Sequence, residues 1–275
     1  MKILNFLFSR SKQEQDKPIR DKLKTRKDFE RVLAEDLDIM ETTKARMDTA
    51  KNINLYMYRS LSYSYILILQ SKYSVDAKID ELRDIYIKSM HYFLQAFNKR
   101  NPIYADILNY VSLGVLLNIP DNNFRQLIDY VKQMDKQAKP SGWTPDLLLW
   151  FMLNSRMKEQ EKQKYAETLA YPRLYNGLYK VIQAPNAAAA KDALNKYLDR
   201  WYNLNSNAPW YNSHLKDNSY RGYWAWEVAA VAKIMHIDDS DLKNNKYYPY
   251  DMVHWADNET TAKEKPTEQT VAKPF

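Results

Sequence analysis

The apolar residues of the chain recur mainly at intervals of three and four positions, which is the spacing of one face of an α-helix. This pattern predicts helices over residues 20–50, 53–72, 75–99, 103–117, 124–134, 147–157, 162–183 and 187–203, and an Ala- and Val-rich helix after residue 224. In the second of these, apolar residues cover much of the circumference, so we expect that helix to be largely buried. The 103–117 segment is strongly apolar and is predicted to be central to the core.

Capping residues locate several of the helix ends. Ser74 is predicted to cap the third helix, with Asp76 in its first turn, and Asn186 to cap the eighth. The run 144–146 (Thr-Pro-Asp) predicts a helix start with a threonine cap, a proline at the first position and an acid in the first turn. Pro172 is expected to bend or break the helix predicted over 162–183.

The composition strengthens the helical interpretation. The chain holds four glycines in 275 residues and no cysteine. Sheet proteins use glycine in turns and bulges, and its usual share is about 7%. We therefore predict an all-α fold, a multi-helix bundle with little or no sheet. The lack of cysteine excludes disulfides and thiolate metal sites, and it suits a reducing compartment.

The positive charge is concentrated near the N-terminus. The formal charge is +7, and residues 1–31 carry ten Lys and Arg against five Asp and Glu. Such an arm could attract nucleic acid or a membrane surface, but its mixture of signs favours a solvated lead into the first helix. The apolar run at residues 3–8 is shorter than a secretory core, and no later stretch reaches the roughly 18 apolar residues of a membrane span. We expect a cytoplasmic protein without a membrane span, with a peripheral anchor through residues 3–8 as the weaker alternative.

Residues that could carry catalysis are isolated along the chain. The histidines are His91, His214, His236 and His254, and no two of them have the spacing of a zinc motif. The four glycines are too far apart for a phosphate loop, and there is no nucleophile elbow. We therefore predict no enzyme activity, no metal and no cofactor.

Two short segments concentrate acidic residues. The first comprises Glu35, Asp36, Asp38 and Glu41, which the helical pattern places on a charged face opposite the apolar stripe of the first helix. This face is either simply solvated or a docking surface for a basic partner. The second comprises Asp238, Asp239 and Asp241. We interpret it first as an N-cap cluster, with a cation site and an acidic contact patch as alternatives.

Glu227 is the most unusual single residue, because it lies among Trp224, Trp226 and a run of Ala and Val. A glutamate that faces a core must be paired or have a raised pKa. We favour a structural glutamate bonded to a tyrosine hydroxyl or to an arginine such as Arg221 over a catalytic acid.

The segment 220–255 is the most distinctive part of the chain. Its sequence GYWAWEVAAVAKIMHIDDSDL, followed by YYPYD, resembles the C-terminal domain of the polymorphic nuclease immunity family, PoNi. The matching positions are Tyr220, Gly222, Tyr223, Trp224, Glu227, Ala229 to Lys233, Ile237, Asp238, Asp239, Leu242, Tyr248, Pro249, Tyr250 and Asp251. Residues 69–82, LQSKYSVDAKIDEL, resemble the N-terminal domain more loosely, with Val75 where that family usually has glycine.

The resemblance implies a two-domain, all-helical immunity protein that is not an enzyme. Its parts would be an arm over residues 1–15, an N-terminal domain over 16–119, a C-terminal domain over 120–255 and a disordered, highly polar tail over 256–275. The implied partner is a cognate DNase toxin domain, delivered by type VI secretion or a related contact-dependent system. Such a protein acts by binding its toxin.

The resemblance and the charge pattern together suggest which residues have which role. DNases bind DNA through basic clefts, so the candidates for toxin contacts are the acidic residues Glu35, Asp36, Asp38, Glu41, Asp238, Asp239 and Asp241. The framework of the C-terminal domain is expected to include Tyr220, Gly222, Tyr223, Trp224, Glu227, Tyr248, Pro249, Tyr250 and Asp251.

Two other classes of protein stay open from the sequence: a helical adaptor for some other protein or a membrane, and a nucleic-acid-binding protein that uses the basic arm. Residues 220–255 carry four basic and five acidic side chains, which is a poor footprint for phosphate. We therefore do not expect direct nucleic-acid binding. A homodimer is compatible with the sequence.

Overall fold

The computed structural model of the protein describes residues 18–96, 103–138, 142–216 and 218–255. The helices with defined bounds in these ranges are α1 (Arg26–Thr49), α2 (Leu55–Ser74), α3 (Ile79–Ala96), α4 (Tyr104–Leu116), α5 (Asp121–Gln133), α6 (Leu147–Asn154), α7 (Pro172–Ile182), α8 (Ala187–Leu204) and α9 (Trp226–Met235). A π-helical turn (Met134–Ala138) extends α5, short 3-10 turns cover Glu159–Glu161, Ser213–Leu215 and Ser240–Leu242, and residues 250–255 are helical. These ranges contain no strand, so the prediction of an all-α fold is confirmed.

The first three helices of the described residues follow one another, and α2 packs against both α1 and α3. The Thr25 hydroxyl accepts from the Asp28 backbone N–H, and the Asp28 carboxylate accepts from the Thr25 backbone N–H. This capping box explains why α1 begins at Arg26 rather than at residue 20. The expectation that α2 is largely buried is wrong in its first half, where Tyr56 and Tyr63 are exposed.

The prediction that Ser74 caps the third helix is wrong. Ser74 is the last residue of α2, and α3 begins only at Ile79. The Ser74 hydroxyl is buried, donates to the carbonyl oxygens of Gln70 and Arg221, and accepts from the indole N–H of Trp224. A serine at a helix end can bond the local backbone or a distant segment, and Ser74 does both, through Gln70 in α2 and through Arg221 and Trp224 far along the chain.

Helix α4 lies at the centre of the fold, as predicted, and nearly all of its residues are buried. The Tyr110 hydroxyl lies 2.8 Å from the Ser62 hydroxyl and 2.6 Å from that of Ser89, which ties α2 and α3 to α4. At its other end, the Lys233 ammonium donates to the carbonyl oxygen of Leu116 and ties α9 to α4. Helix α4 therefore joins elements from both ends of the chain.

Two helix starts in the second half differ from the prediction. Asp146 is itself the cap of α6, because its carboxylate accepts from the Leu149 backbone N–H at 2.8 Å. The same fully buried carboxylate accepts from the Tyr104 hydroxyl and the Ala170 backbone N–H, so three elements determine its position. Pro172 begins α7 at its first turn and does not bend a longer helix, since residues 162–171 are not helical. Asn186 caps α8 as predicted.

One cluster of buried apolar side chains includes members of every helix from α1 to α9 and of segment 220–255. None of the helices in the described ranges has both the length and the apolar character that a membrane crossing needs. Residues 1–17 and 256–275, which include the basic arm and the polar tail, lie outside the described residues, as does Phe97. The division of the chain at residues 119 and 120 stays a prediction.

Candidate functional site

The first part of segment 220–255 forms a buried ion pair with the N-terminal helices. The Arg221 guanidinium donates to both carboxylate oxygens of Asp36, from Nε at 2.6 Å and from Nη2 at 2.8 Å. Both side chains are almost fully buried. The prediction that Asp36 lies on a charged outer face of α1 is therefore wrong. Asp36 follows Phe29 and Val32 along the inner side of the helix, where Arg221 balances its charge.

The backbone at Gly222 allows a close approach between Trp224 and α2. Gly222 has φ +107°, and a Cβ there would lie 2.3 Å from the Trp224 indole nitrogen and 2.4 Å from the Ser74 hydroxyl oxygen. These two atoms are hydrogen-bonded at 2.9 Å. The Trp224 ring also makes an edge contact with Tyr73, with centroids 4.8 Å apart. Only glycine combines this φ with this proximity.

Polar contacts of residues 18–24 also join the start of the described chain to segment 220–255. The Tyr220 hydroxyl donates to the buried Asp21 carboxylate at 2.5 Å. The Arg20 guanidinium donates to Asp251 at 2.8 Å and to the carbonyl oxygens of Tyr73 and Ala77. No sequence pattern identifies Arg20 and Asp21, because a charged residue before the first helix carries no signal that it bonds a residue about 200 positions away.

The acidic segment after α9 contains side chains in two different environments. Asp239 is buried, accepts from the Tyr248 hydroxyl at 2.6 Å, and lies 2.8 Å from His254 Nε2. Asp239 is therefore not part of an exposed acidic patch. Its bond to Tyr248 holds the tyrosine-rich segment against the rest of the domain. The Asp238 carboxylate accepts from the Ser240 backbone N–H, but the N-cap residue of the Ser240–Leu242 turn is Asp239, whose side chain makes no capping bond, so the interpretation of this cluster as an N-cap is wrong.

The two exposed acids of that segment, Asp238 and Asp241, both form ion pairs with one lysine. Lys191 Nζ lies 2.8 Å from Asp238 and 3.2 Å from Asp241. The hydrogen bond from Lys191 holds the pKa of the Asp238 carboxyl below its usual range. Asp241 also accepts from the Asn195 side-chain amide at 2.9 Å. This local pairing leaves the segment with little net negative charge for a partner.

Glu227 is buried, as expected, but its bonding partner differs from the prediction. The Trp201 indole N–H donates to Glu227 Oε1 at 2.6 Å, while Arg221 pairs with Asp36. Burial raises the pKa of the Glu227 carboxyl to about 6, and the Trp201 hydrogen bond opposes that rise. The site is closed to solvent, which suits a structural role.

The raised pKa of Glu227 predicts a specific pH dependence of stability. A carboxyl whose folded pKa exceeds its unfolded value of 4.5 contributes stability below that value and loses it as the pH rises through about 6. The variant Glu227→Gln should therefore gain about 2 kcal/mol relative to wild type between pH 4.5 and pH 7. Urea denaturation at a series of pH values measures this difference. Parallel stability curves for the two proteins would contradict the expectation.

Three of the four acids on α1 that the sequence suggested as contacts face outward. Asp38 and Glu41 are exposed and Glu35 is half-buried. None of these three carboxylates is held in an ion pair within the described ranges. Over the same part of the chain, no group of three His, Asp or Glu residues is arranged to hold a metal ion. The outward side of α1 therefore offers side chains for contact, and the inner side of the helix is packed into the core.

The comparisons with known proteins agree with this architecture. The family profile described as PoNe immunity protein (PoNi), N-terminal, matches residues 11–129, and the profile described as PoNe immunity proteins (PoNi), C-terminal, matches residues 144–252. These are the two domains of one class of immunity protein, and together they cover most of the chain. The chain belongs to the PoNi family of PoNe immunity proteins.

A solved structure has the same fold. The crystal structure of protein PA2201 from Pseudomonas aeruginosa superposes with a TM-score of 0.68 over 94% of this chain and 95% of that chain, at 18% sequence identity. At this identity the similarity concerns the fold alone. No curated protein matches the chain.

Proposed function

We propose that this protein binds and neutralises a cognate DNase toxin in the cytoplasm, where the DNA substrate lies. The toxin would be delivered by type VI secretion or a related contact-dependent system, so the protein would protect the producing cell and its kin. The observation that carries the proposal is the match of both PoNi domains over residues 11–129 and 144–252. The mode of action is binding, without enzymatic modification of the toxin.

Among the described residues, the exposed acids of α1 are better candidates for toxin contacts than the acids after α9. Glu35, Asp38 and Glu41 form an outward acidic stripe, and a basic DNA-binding cleft is its natural complement. Asp238 and Asp241 are already paired with Lys191. Asp36 and Asp239, which the sequence also suggested as contacts, are buried in structural bonds and are not available to a toxin.

Co-expression with the toxin gene tests the proposal directly. We expect a gene for a nuclease toxin beside the gene for this protein. The toxin alone should stop bacterial growth, and co-expression of this protein should restore it. A toxin variant with its nuclease residues removed should still co-purify with the protein, which separates binding from DNA damage.

Two results would contradict the proposal. The first is failure to restore growth, together with no complex on co-purification. The second is tight DNA binding that weakens steeply with salt, which would favour the nucleic-acid-binding alternative through the basic arm.

A further inference from the structure

The large apolar side chains that remain exposed are unevenly distributed. Of the nine in the described residues, six lie near α1, the start of α2 and the start of α4: Ile39, Ile53, Leu55, Tyr56, Tyr63 and Ile103. Tyr56 is 76% and Tyr63 is 63% exposed. Single exposed apolar residues are ordinary on soluble proteins, whereas a group of them indicates a contact surface.

The members of this group lie on neighbouring elements. Tyr56 and Tyr63 are seven residues apart, so they point to the same side of α2, about 10 Å from each other. The Thr43 hydroxyl of α1 lies 3.4 Å from the Ser60 hydroxyl of α2. This contact places Ile39, one turn before Thr43, at the level of Tyr63. The side chains therefore line one continuous face.

The start of α4 borders the same face. The Ser62 and Tyr110 hydroxyls, 2.8 Å apart, bring α4 beside α2 at the residue before Tyr63. Partial desolvation and the charge of Asp106, one turn before Tyr110, both raise the pKa of the Tyr63 phenol. Ile103 precedes Asp106 by one helical turn and is 44% exposed. Arg59, between Tyr56 and Tyr63 on the same side of α2, acts on Asp106 in turn. We call the surface formed by Ile39, Tyr56, Tyr63 and Ile103 the tyrosine face.

The charge around the tyrosine face is acidic, although the whole chain is basic. Glu35, one turn before Ile39, and Asp38 lie beside it on α1, and Asp106 lies near it on α4. Asp36 adds no free charge, because Arg221 neutralises it. Two arginines lie near these acids: Arg59 on α2, and Arg46, which follows Ile39 by seven residues on α1 and lies level with Tyr56, so the acidic part of the face is the end with Ile39 and Tyr63. A partner with a basic surface and an apolar centre fits both the sign of the charge and the exposed rings.

We infer that the tyrosine face is the docking surface for the basic nuclease domain of the toxin, with Tyr63 at its centre and the acids of α1 on its rim. The inference rests on the proposed function. Tyrosine is among the residues that contribute most to protein interfaces, and rim acids mainly speed the encounter with a basic partner. The family-matching block after residue 220 is mostly buried and cannot supply this surface.

The test measures the affinity of the full-length protein for the nuclease-inactive toxin domain by calorimetry. Tyr63→Ala should weaken binding by about 30-fold or more, the usual effect of a central interface residue. Ile39→Arg should weaken it as well, because it adds a positive charge to the acidic face. Asp38→Lys should slow association, with the largest effect at low salt.

Leu215→Arg is the matched control for Ile39→Arg. Leu215 is an exposed aliphatic residue on the Ser213–Leu215 turn, outside the tyrosine face, and the same substitution there should leave the affinity unchanged. All variants should melt near the wild-type temperature, because the changed side chains are exposed. A loss of binding is then a loss of contact.

Failure of this inference is distinguishable from failure of the proposed function. If the wild-type protein binds and protects while Tyr63→Ala and Ile39→Arg bind equally well, the inference is overturned and the function stands. If the wild type neither binds nor protects, both are overturned. A dimer that Tyr63→Ala dissociates without loss of toxin affinity would show a second copy on this face. That result overturns the inference. A rise in toxin affinity on deletion of residues 1–17 would show that the arm competes with the toxin for this face, which supports it.

Discussion

Arg221→Met is expected to lower the free energy of unfolding by about 3–5 kcal/mol, because it leaves the buried Asp36 carboxylate without its partner. Both oxygens of Asp36 accept from Arg221, at 2.6 and 2.8 Å, and the carboxylate is 3% exposed. Water cannot replace the lost donors at such a depth. Urea denaturation at pH 7 measures the effect, and a lower midpoint with an unchanged slope is the expected form.

Arg125→Met provides the control for this prediction. Arg125 pairs with Glu161 at 3.0 Å, but both side chains are about two-fifths exposed, so its loss should change stability far less than the loss of Arg221. The double variant Asp36→Leu with Arg221→Met should recover much of the loss, since an apolar pair removes the uncompensated charge. Equal effects of Arg221→Met and Arg125→Met would show that the Asp36 pair contributes no more than a surface contact.

Gly222→Ala is expected to destabilise the protein by about 3 kcal/mol or more, through two causes. An alanine at φ +107° is strained, and its Cβ would overlap the Trp224 indole nitrogen and the Ser74 hydroxyl. The buried hydrogen bond between those two groups would have to break or shift. Thermal and urea denaturation measure the loss.

Gly142→Ala separates the two causes. Gly142 also has positive φ, +78°, but a Cβ there meets nothing within 4 Å. Its alanine variant should carry the backbone strain alone, about 1 kcal/mol. If Gly222→Ala were no worse than Gly142→Ala, the packing of Trp224 on α2 would not require glycine.

These two predictions concern the same structural device. Residues 220–224 bond to Asp21, Asp36 and Ser74, and Asp251 bonds to Arg20. The block that resembles the family therefore joins the C-terminal half to the first helices. An interface that must match one toxin and not another needs side chains that can vary without unfolding the protein. The outward faces of α1 and α2 meet that condition, and the buried block does not.

The sequence alone predicted the features that depend on neighbouring residues. The three-to-four spacing of apolar side chains locates most helices, because the helix period is a local property. The scarcity of glycine predicted the all-α fold, and Asn186 identified the cap of α8. The block at 220–255 identified the family, which the two domain matches confirm.

Tertiary structure decided the features that depend on a distant partner. Ser74 has the local signature of a cap, but Trp224 and the Arg221 carbonyl, far along the chain, determine its bonds. Asp36 has the sequence pattern of an exposed helix residue, but Arg221, 185 residues away, makes its burial favourable. Tyr56 and Tyr63 belong to a helix whose apolar composition predicted burial, but no element packs over them within the described residues. A sequence records which side chains are polar or apolar, and only the packing of distant segments decides which of them are covered.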